Sequence, residues 1–104
     1  MAAAARGDGV DSVLSDDGAG LNCAFPLTTA TNVCSNNVFA NNTGIVRFGD
    51  AVTTHPTVGC GPEAPALSSS SGTVFVNGQG AGRLGDVYSA NTITSGSSNV
   101  FIGN

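Results

Sequence analysis

The sequence predicts an all-β fold, and three observations predict it. Gly, Ser, Thr and Asn make up close to half of the 104 residues, a mix that disfavours helix and suits turns and short strands. Eleven Val and five Phe dominate the larger apolar residues, with no Trp and one Tyr. They recur in short runs such as Val74-Phe75-Val76, which alternate faces as a strand does. Those runs also repeat along the chain. The length is that of one domain, residues 1–104, and a chain this short buries a marginal core.

The elements follow in order. Ala3-Ala4-Ala5-Arg6-Gly7-Asp8 reads as the closing half of a repeat unit. A Gly-rich loop with Asp16-Asp17 and Cys23 comes next, and adjacent carboxylates there are best read as solvated. The first full unit contains Asn37-Val38-Phe39-Ala40-Asn41-Asn42 and Arg47-Phe48-Gly49-Asp50. The second lies 36 residues on, as Thr73-Val74-Phe75-Val76-Asn77-Gly78 and Arg83-Leu84-Gly85-Asp86. The C-terminus opens a third copy with Asn99-Val100-Phe101-Ile102. Repetition at this period implies stacked or symmetric copies. Asn77-Gly78 is a strong type I′ hairpin signal, and Asn41-Asn42 is a weaker one. All three Arg precede a Gly-Asp, so Arg6 with Asp8, Arg47 with Asp50 and Arg83 with Asp86 are expected to stabilise three corners. Val100-Phe101-Ile102 and Val38-Phe39 are candidates for core or base.

Three Cys and one His remain. An odd cysteine count leaves a thiol over in any disulfide scheme. Cys23, Cys34, His55 and Cys60 instead make one complete Cys3His set, with nothing missing and nothing spare. A weak core would profit from such a staple. Thiolates favour zinc, with iron second, and four protein ligands leave no open position for catalysis.

Composition excludes several functions. Three Arg, no Lys and a net charge of −4 cannot neutralise many phosphates, so no nucleic-acid partner is expected. No run reaches the roughly 20 apolar residues of a membrane helix, and Ala2 to Ala5 is too short for a signal-peptide core. His55 is the one histidine, and with the metal claiming it no Ser/His/Asp site can form, so the chain is not expected to be an enzyme. Gly78-Gln79-Gly80 lacks a following helix for phosphate binding. Arg6-Gly7-Asp8 reads as a corner, not an integrin-binding tripeptide. Asn41-Asn42-Thr43 fits a glycosylation acceptor with nothing to imply a secretory route.

Strand, Val-Phe-Val-Asn-Gly, Arg-x-Gly-Asp, then a loop with Cys or His: this order resembles the PAAR (proline-alanine-alanine-arginine) repeat family over nearly the whole chain. Ser69 to Asp86 and Ile93 to Ile102 carry it best. The name-giving tetrapeptide is replaced by Ala3-Ala4-Ala5-Arg6, Gly44-Ile45-Val46-Arg47 and Gly80-Ala81-Gly82-Arg83. The resemblance implies a small β-rich cone in which one chain imitates threefold symmetry. It implies one structural metal ion near the apex, with His55 and Cys60 where the family places ligands and Cys23 at the equivalent earlier position. Cys34 then completes the tetrahedron, although the other copies have Ser70 and Gly96 there. It further implies a tip that caps the trimeric β-helical spike of a contractile injection machine and meets the target cell envelope. The virion of a contractile-tailed phage is the preferred setting. A type VI secretion tip carrying noncovalent cargo is one alternative. A β-repeat adhesin or receptor-binding module, without metal, is another. No attached toxin domain is expected, since the chain stops at Asn104 in mid-repeat.

Overall fold

The computed structural model describes residues 2–15, 27–56 and 61–103. Its strands are β1 (Ala2–Ala3), β2 (Ser12–Ser15), β3 (Leu27–Ala30), β4 (Phe39–Ala40), β5 (Thr43–Gly44) and β6 (His55–Pro56). They continue with β7 (Pro62–Glu63), β8 (Phe75–Val76), β9 (Gln79–Gly80), β10 (Val87–Tyr88), β11 (Asn91–Ile93) and β12 (Phe101–Ile102). The described residues contain no helix. The molecule measures 38 × 23 × 21 Å, one long axis and two nearly equal short ones.

Three short hairpins form one ring. In the first, Phe39 pairs with Gly44 and Ala40 with Thr43. In the second, Phe75 pairs with Gly80 and Val76 with Gln79. The third is built from the two ends of the chain, with Phe101 opposite Ala3 and Ile102 opposite Ala2. The split unit is thereby made whole. Asn41 and Asn42 have φ of 54° and 68°, and Asn77 and Gly78 have 54° and 81°. Positive φ at both central positions is what a type I′ turn requires. A serine starts each unit: Ser35, Ser71 and Ser97 each accept from the backbone N–H groups two and three residues on.

The three units close on each other through the backbone. Ala5 N–H donates to Gly82 O (3.1 Å), Gly82 N–H to Val46 O (2.7 Å), and Val46 N–H to Ala5 O (3.0 Å). Ala5, Val46 and Gly82 are the residues just before the three arginines. There is little room inside this cycle. A Cβ on Gly82 would lie 3.0 Å from Val46 O and 3.1 Å from a Leu67 methyl.

Three further hairpins form a second ring. β10, β11, β2 and β3 hydrogen-bond in that order. The Thr31–Val52 bridge and Thr53 N–H to Ala30 O carry the ladder to the next strand segment. The Ala51–Ala66 bridge and the β6–β7 pairing continue it, and Ser68 N–H to Val87 O (2.8 Å) brings it back to β10. Inside the second ring sit Ala5, Val13, Val46, Val52, Leu67, Tyr88 and Ile93. The first ring encloses a smaller cluster of Ala4, Ala40, Ile45, Val76, Ala81 and Ile102.

An Arg–Asp pair locks each corner. Arg47 holds Asp50 with Nε to Oδ2 at 2.9 Å and Nη2 to Oδ1 at 3.1 Å. Arg83 holds Asp86 at 2.9 Å twice. Both are bidentate, the strongest form of this pair, and in both the arginine's own N–H also donates to the carboxylate. The first corner corrects the sequence reading. Arg6 binds Asp11, not Asp8, with Nε to Oδ2 at 3.0 Å, Nη2 to Oδ1 at 2.8 Å and its backbone N–H at 2.7 Å. The turn there is longer by two residues, and Asp8 is an exposed turn residue with φ of 52°.

Each corner also reaches the neighbouring unit. Arg6 Nη1 donates to Asn41 Oδ1 and Arg47 Nη1 to Asn77 Oδ1, both at 3.2 Å. Arg83 Nη1 points at Gly103 O, at 3.5 Å.

Candidate functional site

His55 and Glu63 face each other across the β6–β7 hairpin. The imidazole is buried, and its Nδ1 lies 2.8 Å from the Thr53 carbonyl. A carbonyl can only accept, so Nδ1 carries the hydrogen and the neutral ring has a bare lone pair at Nε2. Nε2 is 3.3 Å from Glu63 Oε2, and it makes no hydrogen bond among the described residues. A histidine fixed through Nδ1–H to a backbone carbonyl, with Nε2 unengaged, is oriented as metal-ligating histidines are.

The sequence set of Cys23, Cys34, His55 and Cys60 is only partly placed. Cys23 and Cys60 lie outside the described residues, as do Asp16 and Asp17. Cys34 is not brought to His55. The Thr31–Val52 register puts Thr28 level with His55, and Cys34 near Gly49. Five to six residues of strand separate the two levels, roughly 15–20 Å. No group of three or more His, Cys, Asp or Glu side chains is placed to hold a metal among the described residues.

Cys34 instead fills a seam between units. Its sulfur would be 2.6 Å from a Cβ on Gly7 and 2.8 Å from one on Gly44. Burial raises the thiol's pKa, and Asp8 and Asp50 add to that against the opposing Asp8 N–H and Arg47. The other two units show the same seam filled differently. Ser70 crowds Gly80, and Gly96 leaves space for Ala3. Opposite them, Phe48 and Leu84 stand at the position of Gly7. The sizes trade off, so Cys34 is one filling of a seam that each unit packs in its own way.

Three other polar side chains are buried in the second ring. Ser15 Oγ, Asn91 Oδ1 and Tyr88 Oη have no hydrogen-bond partner among the described residues. Ser15 and Tyr88 both stand opposite Asn91 across the sheet. Burial pushes the Tyr88 phenol far above its ordinary pKa, with Asp50, Cys34 and Asp11 adding to it. It stays a neutral hydroxyl.

The first ring presents an apolar surface. Phe39, Phe75 and Phe101 occupy the same place in the three hairpins and are 57%, 61% and 53% exposed. Their strand neighbours Ala40, Val76 and Ile102 point into the core. Of the candidates for core or base, Ile102 is core, Val38 and Val100 pack against it, and Phe39 and Phe101 are surface.

No family model matches the chain, and no curated protein is similar to it. The sequence reading missed Glu63 and Asp11. Glu63 had a signal: it is the one glutamate in the chain, and His55, Cys60 and Glu63 fall within nine residues.

Proposed function

We propose that the chain is the tip of a contractile injection spike, capping a trimeric β-helical spike protein and leading it through the target cell envelope. The PAAR resemblance supplies the reading, and one structural observation carries it. Three equivalent hairpins each expose a phenylalanine at the same register position. Single exposed apolar residues are ordinary, but three repeated about a closed cycle suit a partner with threefold symmetry. Phe39, Phe75 and Phe101 would each meet one subunit of the trimer, and the cone would narrow toward the second ring. A virion tail tip is the preferred setting.

The role is mechanical, and no reaction is assigned to the chain. One structural metal, zinc in preference to iron, would stiffen the second ring. The fit rests on the His55 lone pair, with Cys60, five residues on in the sequence, and Cys23 as sulfur donors. Structural zinc contributes on the order of 10–16 kcal/mol in small zinc domains, which is large against the few kcal/mol of a core this size.

Mixing the purified chain with a trimeric β-helical spike protein and weighing the complex by native mass spectrometry tests the reading. One chain per trimer is expected, lost when Phe39, Phe75 and Phe101 are all changed to Ser. A folded chain that binds surface glycans, and no spike, would point to the adhesin reading instead.

A further inference from the structure

We infer that the chain binds its partner by strand addition. The outer strands β4, β8 and β12 each take an extended strand, one from each of three identical subunits, through the backbone of Phe39, Phe75 and Phe101. The inference rests on the tip reading above and deepens it by naming how the partner is held.

The alternation of an antiparallel ladder sets which way each backbone group faces. Ile45 N–H donates to Val38 O (3.0 Å), Ala81 N–H to Val74 O (3.0 Å) and Ala4 N–H to Val100 O (2.9 Å). One residue further along come the pairs Phe39–Gly44, Phe75–Gly80 and Phe101–Ala3. These are therefore the non-hydrogen-bonded kind, in which each residue turns its own N–H and C=O away from the other. On the inner strands such groups are used. The carbonyls of Gly44, Gly80 and Ala3 accept from Gly7, Phe48 and Leu84 N–H at 2.9, 2.8 and 2.8 Å. On the outer strands they face outward, and no strand borders β4, β8 or β12 on that side among the described residues.

Sheet edges are usually blunted by charge, by proline or by a covering segment. Residues 38–40, 74–76 and 100–102 hold neither charge nor proline, and each edge carries an exposed phenyl ring. Such an edge is a template for another strand. The occupant follows from number and placement. Each edge offers the N–H and C=O of one phenylalanine, two hydrogen bonds, which are too few to hold a free peptide. Three edges filled by one rigid partner behave differently, because the second and third contacts form at high effective concentration. A trimer whose subunits each end in an unpaired strand meets all three at once.

Amide exchange followed by NMR reads the edges directly. In the free chain the amides of Phe39, Phe75 and Phe101 should exchange fast, while those of Ile45, Ala81 and Ala4 are protected by their bonds. A trimeric β-helical spike protein should slow the three phenylalanine amides together. Fast exchange at all three in the bound complex would overturn the inference and leave the tip reading standing. A wild-type dimer in sedimentation with the three amides protected would assign the edges to a second copy and also overturn it. Comparing Phe75→Pro with Phe75→Ala is the second measurement. Both lose the ring, but only proline loses the N–H, and an edge strand tolerates proline where its N–H faces solvent. The proline variant should bind the spike about 5-fold more weakly than the alanine variant, the worth of one net hydrogen bond. Equal affinity of the two folded variants would overturn the inference alone, whereas a wild-type chain that binds no trimeric spike would overturn the tip reading with it.

Discussion

The two rings of hairpins are built on opposite rules. In the first, every feature occurs three times: a serine that starts the unit, an exposed Phe, a residue on the axis, and an Arg–Asp corner. In the second, no two hairpins are alike. β10 and β11 are joined by Ser89 and Ala90 alone, whereas residues 16–26 join β2 to β3. Only the β6–β7 hairpin pairs a histidine with a glutamate. Repetition is useful where three equal contacts must be made at once. The second ring instead surrounds the larger apolar cluster, where side chains of different size fill one interior. The difference separates a surface that repeats from an end that does not.

Breaking the repeated corner is the sharpest way to test the first half of that contrast. Asp11→Ala removes hydrogen bonds from Arg6 and from Ser95 Oγ. Asp86→Ala removes those from Arg83 and Ser69 Oγ. Each should cost about 3 kcal/mol of unfolding free energy, given that charged hydrogen bonds are worth about 1.5–3 kcal/mol apiece and act as a unit. Val33 stands where Ser69 and Ser95 stand in the other units. Asp50→Ala should therefore cost about 1 kcal/mol less. Urea denaturation of the three variants measures the order, and a larger loss for Asp50 would break the equivalence of the corners.

The seams offer a smaller and more specific effect. A Cβ on Gly80 would collide with Ser70 Oγ, so Gly80→Ala should cost about 2–3 kcal/mol by overpacking. The third unit already holds the compensated pair, Ala3 with Gly96. Adding Ser70→Gly should then recover about 1 kcal/mol, because the backbone oxygen of Ser71 still crowds the site. Strict additivity in that double-mutant cycle would show that the seams do not trade volume.

The smallest expected effect is on acid stability. Burial alone would raise the Asp11 carboxyl, but the hydrogen bonds from Arg6 and Ser95 and the Arg6 charge outweigh it and hold it below the usual range. A lowered folded-state pKa contributes stability above the ordinary aspartate value of about 3.9. That stability fades as pH falls below it toward the folded value. Wild type should lose stability as pH falls below about 4 more steeply than Asp11→Asn. Parallel curves would mean that the corner does not titrate as a folded pair.

Much of the first ring was legible in the sequence because turn chemistry and repetition are local. Asn77-Gly78 names its own turn, and the offset of 36 residues aligns Arg47 with Arg83. Asp11 was not legible. Arg6-Gly7-Asp8 imitates the motif one residue short, and only the fold shows that the turn runs two residues longer than the others and places the carboxylate at position 11. The face of each Phe was hidden as well, since a two-residue strand is too short for alternation to fix which side is buried. Three cysteines and one histidine fit a zinc tetrahedron by count, whereas the Thr31–Val52 register sets Cys34 and His55 at different levels of the sheet. Glu63 escaped because a lone carboxylate in a turn-rich stretch has an ordinary solvated reading.

The cycle of backbone bonds through Ala5, Val46 and Gly82 bears on how the chain folds. Its first member lies near the N-terminus, while the strand beside Ala3 is Phe101–Ile102. The ring cannot close before Phe101 and Ile102 are available to pair. Each middle unit can form its hairpin early, because those contacts are local and fast. The joining of β1 to β12 spans the chain and has the largest loop-closure entropy to overcome. Folding should therefore end where β1 meets β12, with a half-built ring exposing its axis until that moment.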